Sequence, residues 1–144
     1  MEKLLAAYQQ YQAQAEVVMQ QLNITQLTAT GLDRALSAVD ALDKVEEGQE
    51  ILVPIGSGSF IHGKLASKER IILNVGAGVN IEKTTEQARE AMKVRKEEVL
   101  EGSKRLNEVL AKIESEMHKI QAVLQQFEEV QGQKVQGLGS KGVV

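Results

Sequence analysis

Two runs of heptad spacing, one near each end of the chain, constrain the fold more than anything else in the sequence. Read at alternating steps of four and three, the first run is Leu4, Tyr8, Tyr11, Ala15, Val18, Leu22, Thr25, Ala29, Leu32, Leu36 and Val39. All but Thr25 are apolar or mostly apolar. A seam sustained for about five repeats predicts a coiled-coil helix over residues 1–47. At ~1.5 Å per residue that helix is roughly 65–70 Å long, too long for a compact domain of this size. Gly48 can supply its left-handed stop. The second run is Met92, Lys96, Val99, Ser103, Leu106, Leu110, Ile113, Met117, Ile120, Leu124 and Phe127. It predicts a helix over residues 84–131, opened by Thr84 and Gln87 at capping-box spacing and ended by Gly132. Lys96 and Ser103 are its polar departures, and Lys96 can bury its stem while its ammonium stays wet.

The two seams match when folded antiparallel with paired numbers summing to about 131–132. Leu4 then meets Phe127, Tyr8 meets Leu124, Tyr11 meets Ile120, Ala15 meets Met117, and Leu22 meets Leu110. Leu32 meets Val99, Val39 meets Met92, and Asp43 falls opposite Arg89. Both chain ends are expected at one tip of the hairpin.

Composition agrees with long thin packing. Apolar residues make up 42% of the 144, yet there are two Tyr, two Phe and no Trp, and Pro54 is the only proline. A formal net charge of −3 offers no cationic surplus for phosphates, so nucleic acid is not an expected partner. The absence of cysteine excludes disulfides, thiolate metal sites and a cysteine nucleophile, and is compatible with a reducing cytoplasm. No apolar run reaches the ~20 residues a membrane helix needs, and the Gln-rich start does not read as a signal peptide.

The middle, residues 48–83, changes character. Short β-branched runs alternate with Gly and Ser, predicting strands near 50–55, 59–66, 70–75 and 78–82. The GSG and ASKE stretches read as hairpin turns, and GAG as a third turn or bulge. Pro54 argues for an edge or a strand end. Two hairpins are marginal alone. Their apolar residues Ile51, Val53, Ile55, Ile61, Leu65, Ile71, Leu73, Val75, Val79 and Ile81 need a second sheet, and the helical seams are already used. Strands from other subunits completing a barrel resolve this. The tail, residues 132–144, is Gly-rich and aperiodic, and is expected to be disordered.

Candidate chemistry fails on inspection. Gly58 to Leu65 nearly fits a phosphate loop, but Leu65 stands where a hydroxyl must bind magnesium, and the stretch alternates like a strand. Gly76-Ala77-Gly78 lacks the third glycine of a dinucleotide motif. His62 and His118 lie far apart in the expected fold without ligand-like spacing. The acidic residues from Glu97 to Glu116 alternate with Lys and Arg as on a solvated coiled-coil face. No cofactor, metal or catalytic role is expected. Charge distribution is the informative feature. Between Leu4 and Leu32 the only charge is Glu16, and between Ile120 and Phe127 there is none. Leu5, Val17, Met19, Ile24, Leu27, Val123 and Val130 are apolar residues that the seam does not need. An apolar, nearly neutral end marks an interaction surface. A structural scaffold with one fixed protein partner is the competing expectation.

Ile51-Leu-Val-Pro-Ile-Gly56 followed by Ser59-Phe60-Ile61, and Val75-Gly-Ala-Gly-Val79 leading through Ile81-Glu82-Lys83, resemble motifs of the prefoldin family. The resemblance covers the chain up to the tail. Four strands rather than two point to its alpha class, of archaeal type. It implies an α+β fold: a long antiparallel coiled-coil hairpin with two β-hairpins at a hub that join an intersubunit β-barrel. It implies a heterohexamer of two alpha and four beta-type subunits. It also implies a cytoplasmic, ATP-independent chaperone that holds unfolded polypeptides and passes them to a group II chaperonin. The family's client contacts map to the tip residues Met1, Leu4, Leu5, Tyr8, Tyr11, Val123, Leu124, Phe127 and Val130. The barrel would take the ten apolar strand residues above together with Phe60.

Overall fold

The computed structural model describes residues 1–140. The chain order is α1 (Glu2–Leu42), β1 (Glu50–Gly56), β2 (Ser59–Lys64), β3 (Arg70–Asn74), β4 (Asn80–Thr84) and α2 (Thr85–Ser140). These residues form two compact units, one from residues 1–25 with the chain from Gly102 onward, the other from residues 26–101.

In the first unit the two helices run antiparallel. Ala15, Val18 and Ile113 are buried together, with Tyr11, Leu22, Leu106, Leu110 and Met117 packed against them. These are seam residues of both runs, in the expected register. Gln121 Nε2 donates to the Tyr8 hydroxyl at 2.8 Å and holds the register toward the chain start.

In the second unit the helices again run antiparallel, around the buried Ala29, Val39 and Ala88. Arg89 binds Asp43, the expected pair, and also Asp40. Lys96 pairs with Asp33, which satisfies the ammonium of the polar seam position. The capping box forms in both directions: Gln87 N–H donates to Thr84 Oγ1 at 3.2 Å, and Thr84 N–H to Gln87 Oε1 at 3.3 Å.

The strands make two separate two-stranded antiparallel sheets, β1–β2 and β3–β4. Gly56 pairs with Ser59 across a two-residue turn in which Ser57 and Gly58 both have positive φ, 50° and 71°. That is the geometry whose twist suits a hairpin. Ala77 and Gly78 repeat it at 52° and 73°, and Asn74 Oδ1 accepts the Gly76 N–H at 2.8 Å. GAG is therefore a hairpin turn. Pro54 sits opposite Phe60, just before a register shift in a strand that has an open edge.

Three expectations are corrected. The ASKE stretch is no hairpin turn, because β2 and β3 do not pair. Its polar groups are spent on the helix starts and ends instead. Lys68 Nζ donates to the Val45 carbonyl at 3.2 Å, the Lys68 carbonyl accepts Thr85 Oγ1 at 2.6 Å, and the Glu69 carbonyl accepts the Thr85 N–H at 2.9 Å. Next, α1 ends at Leu42 rather than at 47. Asp40, Asp43, Glu46 and Glu47 crowd its carbonyl end, where the helix dipole disfavours negative charge, and the last turn has no basic residue. The chain tightens there into bonds from Asp43 N–H to Asp40 and from Lys44 N–H to Ala41. Gly48 does turn left-handed, with φ 86°, but its N–H extends the β1–β2 ladder by donating to Leu65 at 2.7 Å. Finally, α2 continues past Gly132 as far as Ser140, where a disordered tail was expected. Gly132, Gly137 and Gly139 each weaken a helix by about 1 kcal/mol relative to Ala, but unlike proline they do not block it. Residues 141–144 lie outside the described residues.

Thr85 is the buried polar residue of the second unit. Replacing it with valine keeps the volume, removes the donor and leaves the Lys68 carbonyl without that partner. Thr85→Val is expected to destabilise the chain by about 1–2 kcal/mol, measured as a lower urea midpoint at unchanged slope.

Candidate functional site

The first unit carries the apolar end surface. Helix pairing uses one stripe of each helix and leaves the neighbouring positions open. Met1, Leu5, Val123, Phe127 and Val130 are exposed, Leu5 by 46% and Phe127 by 48%. Leu4, Tyr8, Tyr11 and Leu124 are half-buried because they also serve the seam. A side chain that contributes to pairing and still shows part of its surface can take a second contact without breaking the first. Val17 and Met19 on α1 add to the exposed set. So do Val135 and Leu138, which the expectation of a disordered tail had set aside. The signal for them was present: Phe127, Val130 and Leu138 fall within one arc of a helix, and Val135 borders it.

The second unit carries the sheet surfaces. Ile51 and Val53 share one face of β1, with Val53 opposite Ile61, and Ile55 sits unpaired at the register shift before Gly56. Gly63, opposite Ile51, lets the Val53 and Ile51 side chains lie over it, since a Cβ there would meet Val53 Cγ2 at 3.4 Å and Ile51 Cγ1 at 3.7 Å. Ile55, Phe60, Ile61, Val75, Val79 and Ile81 are exposed, as are Ile51 and Val53, while Leu65, Ile71 and Leu73 are half-buried. Leu52 and Ile72, on the opposite faces of β1 and β3, are also exposed, Ile72 by 71%. The sequence reading missed them because it assigned one apolar face to each strand. An open cleft of about 860 Å³ lies between the β3–β4 hairpin and the start of α2, lined by Leu73, Val75, Ala91 and Val94 among others. Soluble single chains seldom leave so many β-branched residues in water, and each two-stranded sheet has two open edges.

Electrostatics is local and structural. The hydrogen bond to Glu86 holds the Arg89 guanidinium above its usual pKa, helped by the bond to Asp40 and by the charges of Glu86 and Asp43, against partial desolvation. The hydrogen bond and charge of Glu116 do the same for Lys119. Both are cations whose folded pKa is raised. Their contribution is complete below the unfolded value and is lost only as pH climbs through the folded one, far into the alkaline range. Neither makes the fold pH-sensitive near neutrality.

The nucleotide-loop lookalike from Gly58 to Leu65 is strand β2 and its flanks, with His62 paired to Leu52. Among the described residues no group of three or more His, Asp or Glu is placed to hold a metal ion. No described helix is long and apolar enough to cross a membrane.

A family model described as prefoldin subunit matches residues 8–129. The prefoldin subunit alpha of Methanothrix thermoacetophila is 53% identical over 105 residues, 73% of this chain and 69% of that one. The prefoldin subunit alpha of Pyrococcus horikoshii is 33% identical over 132 residues, 91% of this chain and 89% of the relative. Among solved structures, the filamentous PFD from Methanocaldococcus jannaschii superposes with a TM-score of 0.71 at 22% identity, covering 81% of this chain and 97% of that one. The prefoldin beta subunit from Thermococcus strain KS-1 does so with a TM-score of 0.57 at 18% identity, covering 87% and 89%. At such identities the two structures bear on fold alone, and the two long helices and two β-hairpins of this chain match that fold.

Proposed function

Because the chain belongs to the prefoldin family, in its alpha class, we propose that it is a holdase subunit that grips unfolded polypeptides through the paired ends of α1 and α2. The single observation that carries this reading is the exposure of Met1, Leu5, Val123, Phe127 and Val130 at an end where Glu16 is the only charge between Leu4 and Leu32 and none lies between Ile120 and Phe127. The open sheet faces and edges join those of beta-type subunits, in a heterohexamer of two alpha and four beta subunits. Such an assembly presents several gripping ends to one client. It works in the cytoplasm without ATP and hands its cargo to a group II chaperonin.

Magnitudes favour weak, repeated contact. An end that covers on the order of 200 Å² of apolar surface gains about 5 kcal/mol before the losses of association, a millimolar-scale grip at best. Several ends on one client multiply that through effective concentration, and each lets go quickly. Release then requires competition rather than hydrolysis.

The test is light scattering on several unrelated denatured clients, with the chain assembled with a beta-type subunit and no ATP. Suppression of aggregation for all of them is the expected result. A scaffold for one fixed partner would protect none, and that result overturns the reading.

A further inference from the structure

The apolar side chains account for only part of the end surface. Twelve of the chain's fifteen glutamines lie in residues 1–25 and 121–136, and all twelve are exposed. They alternate with the apolar residues at helical neighbour spacing. On α2 the stripe runs Val123, Gln126, Val130, Gln133, with Phe127 beside it. On α1, Leu5 is followed by Gln9 and Gln12 on the same stripe.

We propose that these glutamines recognise the client's main chain, so that the substrate class is extended polypeptide with unpaired backbone amides and apolar side chains, of either net charge. This rests on the holdase reading above and deepens it. An unfolded segment differs from a folded surface in presenting free N–H and C=O groups beside its apolar side chains. Pressing those side chains against Val123, Phe127 or Val130 strips water from the adjacent peptide groups, which then need new partners. A primary amide offers two donors and an acceptor oxygen with two lone pairs, so it pairs with either peptide group whatever the client's register. Lysine would only donate and ionised glutamate only accept, and both would sort clients by charge. Lys3 and Lys134 stand against Glu2, Glu16, Glu128 and Glu129 in these stretches, which disfavours the anionic alternatives, nucleic acid and acidic lipid, because they need clustered cations.

The test compares two fluorescent probes on the full-length chain assembled with a beta-type subunit. One is a short uncharged apolar peptide, and the other is the same peptide N-methylated at every second residue. A quadruple variant, Gln9→Met, Gln12→Met, Gln126→Met and Gln133→Met, keeps length and helix propensity while removing four exposed amides. Gln121 is left alone because it bonds Tyr8. On the native chain the plain peptide is expected to bind roughly tenfold tighter than the methylated one, and on the variant the ratio should fall to within about twofold. A ratio near one on the native chain, or a ratio the variant leaves unchanged, overturns the inference while sparing the holdase reading. If neither peptide binds the native assembly, both fail.

Discussion

A chain lacking residues 1–11 and 121–144 is expected to assemble with a beta-type subunit as the full chain does, and to lose suppression of client aggregation. The deletion removes Met1, Leu5, Val123, Phe127 and Val130 together. It spares Ala15, Val18, Leu22, Leu106, Leu110, Ile113 and Met117, so the first unit keeps most of its packed seam. It also leaves residues 26–101, with both hairpins, untouched in sequence. If several ends act on one client, their joint loss should raise the chaperone concentration needed for half suppression by about a hundredfold or more, far beyond any single substitution. Leu5→Ser with Phe127→Ser is the gentler companion, since both side chains are about half exposed and their loss opens no cavity. Light scattering gives the activity, and mass measurement of the complex gives the assembly. Retained suppression by a correctly assembled truncation would remove the helix ends from client binding.

What the sequence displayed plainly was whatever repeats or is local. The heptad seams fixed which residues of α1 and α2 meet, because a side chain placed every three or four residues on one helix has a narrow choice of neighbours on another. The capping box at Thr84 and Gln87 and the two tight turns rest on a few adjacent residues, and they appeared where expected. The ion pair between Arg89 and Asp43 was legible for the same reason. Its second branch to Asp40 was not, because a guanidinium forks across a full helical turn. The linker from Ala66 to Glu69 was misread because its function is long-range: Lys68 reaches back to Val45 and forward to Thr85, and no local pattern records that. The run of α2 beyond Gly132 was missed because glycine lowers helix propensity without forbidding helix, and the missing seam partners hid the apolar arc through Val130 and Leu138.

The sheet residues pose a different question, since the described chain leaves them open and the proposed assembly would close them. Val53→Asp separates the two states. In the isolated chain Val53 is already 38% exposed and faces Ile61 across the β1–β2 ladder, so a carboxylate there stays hydrated. The helical signal of the chain alone should be unchanged, and its unfolding free energy from urea titration should change by less than about 1 kcal/mol. In a closed barrel the same carboxylate would be buried without a partner, a penalty of about 3–5 kcal/mol at each copy, or roughly two to four orders of magnitude in association constant. The expected result is therefore a folded chain that no longer forms a stable complex with a beta-type subunit at micromolar concentration, read by size-exclusion chromatography with mass determination. Ser57→Asp is the matched control. It puts the same charge at the exposed turn two residues past Ile55, where it should leave the complex intact. A Val53→Asp complex of native mass would show that this face of β1 is not the one neighbouring subunits cover. Leu52, on the opposite face and exposed by 59%, would then be the residue to charge next.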